Sequence, residues 1–153
     1  GEKTVLIAGG GLGGLCAAAC LLTRGIDVEV YEQAPQLGEV GAGIQISANA
    51  SRVLHNLGLG SELDRYGVKP RSYRVSLFST NETLNEFDLA ESHEAQFGSP
   101  YYLLHRADLH GILARCVNQL DPSAIVLNAK VMKLVIGTSS SHQIILGLIP
   151  SSR

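Results

Sequence analysis

The sequence predicts an α/β protein built on a parallel βαβ unit, and three observations carry that prediction. A short β-branched run, residues 4–8, leads through Gly9-x-Gly11-x-x-Gly14 into an alanine-rich stretch that Gly25 ends. A second apolar run, residues 28–31, follows at once and closes on an acid, Glu32. Farther on, the chain again passes from a strand, residues 101–105, into a helix. That helix carries Leu109, Ile112, Leu113, Cys116, Val117 and Leu120 at the spacing of a buried stripe.

Each part of the first unit has a task in a dinucleotide site of the Rossmann type. Gly9 permits the tight turn, Gly11 lets a pyrophosphate approach the backbone, and Gly14 lets the helix pack close to the strand. The helix N-terminus offers unpaired N–H groups and a partial positive charge to the phosphates. Glu32 stands 23 positions after Gly9, where an acid at the end of the second strand can accept both hydroxyls of an adenosine ribose. A carboxylate there disfavours a 2′-phosphate, so the site reads as one for FAD or NAD. A secretory or membrane segment is the competing reading, because residues 5–22 carry no charge. The glycines make those residues a poor continuous apolar helix, and Lys3 is the only basic residue before them.

The 153 residues suit one domain, or one and a small part of another, and an apolar fraction of 45 % is enough for a packed core. A net charge of −2 without a basic block offers no footprint for nucleic acid or for an anionic membrane. The expectation is a soluble, cytoplasmic protein without nucleic-acid or membrane partners. Cys16, Cys20 and Cys116 cannot all pair with one another, and no His or carboxylate stands with them at ligand spacing. They read as core residues, and no metal site is expected.

The remaining elements follow in order. The glycine-rich segment at residues 38–50 turns into an amphipathic helix with Val53, Leu54 and Leu57 on one side, ended by Gly58. Glycines at 38, 41 and 43, coming straight after the ribose-binding strand, read as a second backbone approach to the cofactor. Ser61-Glu-Leu-Asp64 has the form of a capping box for a short helix that runs to Tyr66. Residues 71–79 alternate, with Tyr73, Val75 and Leu77 on one face, and residues 83–89 return as a partner strand after a turn at Asn81-Glu82. Residues 90–100 read as a loop, and residues 124–127 and 130–136 as two more strands. Arg106, at the strand-to-helix junction, could reach a phosphate or ribose, or could pair with Asp108. His105 and His110 read as satisfied surface or core histidines.

Three segments together resemble a known family, the FAD-dependent aromatic-ring monooxygenases of the salicylate hydroxylase and 6-hydroxynicotinate or 3-hydroxybenzoate monooxygenase type. They are Val-Leu-Ile-Ala-Gly-Gly-Gly-Leu-Gly-Gly-Leu at 5–15, Glu-Val-Gly-Ala-Gly-Ile-Gln-Ile-Ser-Ala-Asn-Ala at 39–50, and Tyr-Tyr-Leu-Leu-His-Arg-Ala-Asp-Leu-His at 101–110. The resemblance spans about residues 3–136. It implies that Gly9, Gly11, Leu12 and Gly14 hold the FAD pyrophosphate and that Glu32 holds the ribose. Gly43 and Ile44 represent the second glycine segment, Arg106 the cofactor-binding arginine, and Val131 a backbone contact to the adenine. It further implies NAD(P)H as reductant, O₂ as oxidant and a small aromatic substrate, with flavin rather than a protein nucleophile carrying the chemistry. No catalytic residue is assigned.

The family's Asp-Gly motif, expected just after residue 136, and its later Gly-Asp motif are absent; residues 137–153 form an atypical tail. The expected organisation is an FAD-binding domain from residues 1–70 and 101–136, a hairpin excursion at 71–100 that begins a β-rich substrate layer, and the tail. The chain therefore reads as a truncated N-terminal portion that is catalytically incomplete by itself. Self-association through the exposed sheet is a further expectation. The alternative is a non-catalytic FAD- or ADP-binding module, or a fragment acting through a partner chain. An NAD-dependent dehydrogenase fragment is disfavoured by the second and third segments.

Overall fold

The computed structural model describes residues 4–38, 40–136 and 144–150. In chain order the elements are β1 (Thr4–Ala8), α1 (Leu12–Leu22), β2 (Asp27–Tyr31), β3 (Gly43–Ile46), α2 (Ala48–Asn56), α3 (Gly60–Tyr66), β4 (Ser72–Ser76), β5 (Thr83–Asp88), α4 (Glu91–Phe97), β6 (Tyr102–His105), α5 (Arg106–Leu120), β7 (Ile125–Val126), β8 (Ala129–Ile136) and β9 (Ile144–Pro150). They fall into two units: Gly1–Glu39 with His110–Arg153, and Val40–Leu109.

In the first unit β1, β2 and β7 form a parallel sheet in that order, with Thr4 opposite Asp27 and Val30 opposite Ile125. Helix α1 is the βαβ crossover and packs on β1 and β2, burying Leu15, Ala18 and Ala19. Its end is a Schellman motif: Gly25 stands at φ +73°, Gly25 N–H donates to Leu22 O at 2.9 Å, and Ile26 N–H donates to Leu21 O at 3.1 Å. Val28 and Val30 of β2 and Ile112, Leu113 and Val117 of α5 complete the apolar interior of this unit. The three cysteines are free. Cys116 is buried, and Cys16 and Cys20 are half-buried. Burial first, and the neighbouring Cys20 second, push the Cys16 thiol up to about 11. Within the atypical tail, residues 144–150 form β9, antiparallel to β8; their β-branched and leucine content suits a strand. The preceding part of that tail, residues 137–143, lies outside the described residues, as do 151–153.

In the second unit β3 pairs antiparallel with β6 and β4 with β5. Helix α2 ends at Gly58, φ +78°, through the same pair of bonds that closes α1. Its buried stripe is Ala48, Ser51 and Leu54; Val53, placed on the buried side from the sequence, is 38 % exposed. Two local readings are corrected. Ser61 does not cap α3: the chain passes from the closing turn of α2 straight into it, with Leu59 at the N-cap and no side-chain cap bond. Residues 91–97 are helical rather than a loop. Asp88 accepts from Ala90 N at 2.9 Å and from Ser92 Oγ at 2.6 Å, Glu91 and Glu94 favour the helix N-terminus, and Gly98 at φ +72° closes it.

The β4–β5 hairpin forms at the expected place, with Asn81 at φ 59° in its turn. Every residue of both strands is exposed, including Tyr73 and Val75. The core of this unit lies instead around Tyr102, Leu63, Leu54 and Leu104. Tyr102, wholly buried, donates its hydroxyl to Asp64 at 2.9 Å, and Lys69 pairs with the same carboxylate at 3.1 Å. The Tyr102 bond, followed by that from Lys69, holds the Asp64 carboxyl below its ordinary value, while burial and then Asp64 push the Tyr102 phenol up.

Candidate cofactor-binding site

The first unit builds its site at the carboxyl ends of its parallel strands, where open α/β sheets receive ligands. Beyond β1 the chain turns at Gly9, whose φ of +102° excludes an ordinary side chain, while Gly9 N–H continues the ladder to Tyr31 O at 2.8 Å. Gly11 then caps α1 with extended backbone and no side-chain bond, which leaves the N–H groups of the first turn, Leu12 to Gly14, facing outward for an anion. Gly14 sits under the turn: a Cβ there would lie 2.2 Å from Gly9 O and 3.2 Å from Ile7 Cγ2. Helix and turn approach at a distance that only glycine allows.

Glu32 joins this turn to the loop after β2. Its Oε2 accepts from Gly10 N–H at 2.7 Å and its Oε1 from Ala34 N–H at 2.9 Å. A carboxylate has about four lone-pair sites, so each oxygen keeps one for a hydroxyl donor. Two cavities flank it. One, about 220 Å³, is lined by Ala8, Gly9, Tyr31, Gln33 and, from β8, Ala129, Lys130 and Val131, besides Glu32 itself. The other, about 90 Å³, is lined by Gly10, Gly11, Ala34, Gln36, Leu37, Gly38, His110 and again Glu32. Tyr31 donates its hydroxyl to Glu29, and that bond ahead of burial pushes its phenol up to about 12, so the side chain is neutral at ordinary pH. The sequence-read residues Gly9, Gly11, Glu32 and Val131 thus line this region, with Leu12 and Gly14 in the helical turn beside it.

Gly43, Ile44 and Arg106 belong to the second unit. Gly43 and Ile44 open β3, opposite His105 and Leu104, and Arg106 N–H donates to Ala42 O at 3.1 Å. The close approach there is at Gly41 rather than Gly43: a Cβ at 41 would stand 2.8 Å from Arg106 Cβ, whereas one at 43 would meet Leu104 O at an ordinary 3.9 Å. A larger cavity of about 600 Å³ in this unit, between the hairpin and α4, contains none of the sequence-read residues and is lined instead by Tyr73, Phe87, His93, Phe97 and Tyr101 among others.

Two further residues belong to the first site: Gly10, which the sequence reading passes over, and His110, which it takes only for a satisfied surface or core histidine. Gly10 occupies a variable position of the fingerprint, yet a Cβ on it would lie 3.0 Å from Leu37 Cδ2 and 3.2 Å from Glu32 Oε2. His110, 4 % exposed, places Nε2 2.7 Å from Gly10 O. It is a satisfied buried histidine, and its partner lies 100 positions away, beyond any local pattern.

These features fit an adenine dinucleotide: an outward-facing helix N-terminus for phosphates, an acid with free lone pairs for hydroxyls, and adjoining space for a ring. Residues 2–122 match the profile of the FAD binding domain family. Over 122 residues the chain is 43 % identical to 3-amino-4-hydroxybenzoate 2-monooxygenase of Streptomyces cremeus, which covers 80 % of this chain and 30 % of that protein. It is 38 % identical over 131 residues to 3-hydroxybenzoate 6-hydroxylase 1 of Aquipseudomonas alcaligenes, covering 86 % and 33 %. The crystal structure of Klebsiella pneumoniae HpxO complexed with FAD and uric acid superposes with a TM-score of 0.72 at 24 % identity, covering 96 % of this chain and 38 % of that one. At that identity the likeness shows the fold alone. The chain spans about a third of the length of the curated relatives it matches. Because the match extends from the first strand through α5, the chain belongs to the FAD binding domain family.

Proposed function

We propose that this chain binds the ADP portion of FAD as the cofactor-binding part of a monooxygenase acting on small aromatic acids. One observation carries the reading most directly: the Glu32 carboxylate, tied to the glycine turn through Gly10 and flanked by two cavities, keeps lone pairs for ribose hydroxyls beside an outward-facing helix N-terminus. In this reading Gly11, Leu12 and Gly14 present backbone N–H groups to the pyrophosphate, Glu32 accepts from the ribose, and Val131 borders the adenine. Arg106, Gly43 and Ile44 are carried into the cofactor-binding set by the family resemblance. The aromatic-acid class rests on the names of the relatives, two of which act on hydroxybenzoates. Bound FAD supplies the redox chemistry, and NAD(P)H is the reductant expected of the complete enzyme.

Titration of the chain with FAD, followed by flavin fluorescence, tests this reading. Saturable binding is expected, weakened at least several-fold by Arg106→Ala; the absence of saturable binding to the folded chain refutes it. Oxidation of NADH stimulated by a hydroxybenzoate would mark a complete enzyme, whereas bound flavin without turnover would favour the non-catalytic module. Self-association through the sheet belongs to the same reading. Among the described residues β1 is hydrogen-bonded only to β2, and Leu6 is 38 % exposed.

A further inference from the structure

Gly9, Gly10 and Gly11 follow one another, so the peptide that carries the first anion-facing N–H has no side chain to hold it. Glycine loses more conformational freedom on ordering than any other residue, and a ligand that has to order such a turn binds correspondingly less well. Two hydrogen bonds address this here. The 9–10 peptide is held through its N–H, which donates to Glu32 Oε2 at 2.7 Å. The 10–11 peptide is held through its carbonyl, which lies 2.7 Å from His110 Nε2. A carbonyl oxygen only accepts, so His110 carries its proton on Nε2. In a planar trans peptide the C=O and the N–H point in opposite directions. Fixing Gly10 O against the buried imidazole therefore aims Gly11 N–H away from His110, and the turn it leads into carries no side-chain cap.

We infer that His110 is a positioning residue for the FAD pyrophosphate: its Nε2–H locks the Gly10–Gly11 peptide in the orientation that presents Gly11 N–H to the ligand. The inference rests on the FAD reading above, but its geometry stands in the ligand-free chain as well. His110 is 4 % exposed, which excludes a solvent-facing side chain whose bond to Gly10 would compete with water. A Cβ on Gly10 would press on Leu37 Cδ2 at 3.0 Å and on Glu32 Oε2 at 3.2 Å, so a side chain there would stiffen the turn only by displacing them. The imidazole supplies the constraint that the sequence of the turn lacks.

The test has a ligand-free arm and a binding arm. Long-range ¹H–¹⁵N correlation on the wild-type chain should show His110 as the Nε2–H tautomer. The Nδ1–H tautomer would overturn the inference, whether or not FAD binds. In the binding arm, His110→Phe keeps a ring but removes the donor, and His110→Gln restores an N–H near the place of Nε2. His110→Phe should raise the Kd for FAD about ten-fold, and His110→Gln should stay within about three-fold of wild type. The ¹⁵N order parameter of the Gly11 amide should fall in the Phe variant and recover with Gln. Equal FAD affinity in the Phe variant and wild type, or equal losses in the Phe and Gln variants, would overturn the inference. If the wild-type chain binds no FAD, the reading of function fails, and the tautomer and the Gly11 order parameter still decide the role of His110.

Discussion

Substituting two helical glycines one position apart should have opposite effects on stability, because only one of them lies against the backbone. Gly13 and Gly14 both belong to the first turn of α1, and alanine is favoured over glycine in a helix by about 1 kcal/mol. At Gly13 nothing lies within 4 Å of the methyl group that alanine would add, so Gly13→Ala should collect most of that gain. At Gly14 the methyl carbon would sit 2.2 Å from Gly9 O, and the contact has to open by at least about 0.8 Å to reach the 3.0 Å below which such contacts essentially do not occur. Gly9 O cannot swing aside. The 9–10 peptide that carries it is held through Gly10 N–H, which donates to Glu32 Oε2 at 2.7 Å. The helix must therefore lift from the strand, and overpacking of this kind costs about 1–3 kcal/mol. Set against the helical gain, Gly14→Ala should be destabilised by up to about 2 kcal/mol while Gly13→Ala gains up to about 1. Thermal unfolding of the two variants beside wild type measures both, at about 2–4 °C per kcal/mol for a chain of this size. A Gly14→Ala variant as stable as Gly13→Ala, or two shifts of the same sign, would refute the close-packing argument.

Two further expectations concern titratable groups. The Cys16 thiol, pushed from 9.0 up to about 11 by burial and then by Cys20, carries about 100-fold less thiolate at moderately alkaline pH than an ordinary cysteine. It should react slowly with iodoacetamide in the native chain and rapidly in denaturant; native labelling at the rate of a free thiol would contradict this. In the second unit the Asp64 carboxyl is held below 3.8, by Tyr102 first and then by Lys69. A depressed acid stabilises the fold above its unfolded pKa, and that contribution disappears as pH falls through the folded value. Wild-type stability should therefore decline from about pH 4 downward more steeply than that of Asp64→Asn. Acid-limb curves that run parallel would show that the bond network around Tyr102 has no such linkage.

Much of the fold was legible because it is written in short-range pattern. The β1–α1–β2 unit, the turn at Gly9, the helix ends at Gly25 and Gly58 and the junction of β6 with α5 each depend on residues within a few positions of one another. Misreadings arose where a neighbouring element altered the local rule. Ser61 looked like a cap, but the closing turn of α2 already occupied the place before it. Residues 90–100 looked like a loop because they are polar and end in Phe-Gly-Ser-Pro, while the acid that holds the start of α4, Asp88, belongs to the preceding strand. The alternation of Tyr73, Val75 and Leu77 was correct as a strand pattern, yet no face of that hairpin is buried.

The sequence by itself determined the class of this protein, α/β with an adenine-dinucleotide turn, and the positions of Gly9, Gly11, Gly14 and Glu32. Backbone dihedral preference and hydrophobic period are properties of adjacent residues. Only the tertiary structure decided which glycines stand close against a neighbour, Gly10 near Leu37 and Glu32 and Gly41 against Arg106. It also decided how Glu32 divides its oxygens between Gly10 and Ala34, and that His110 meets Gly10 O. Those are contacts between groups up to 100 positions apart, set by how strands and helices stack, and no local pattern encodes which distant atom will fill a given space.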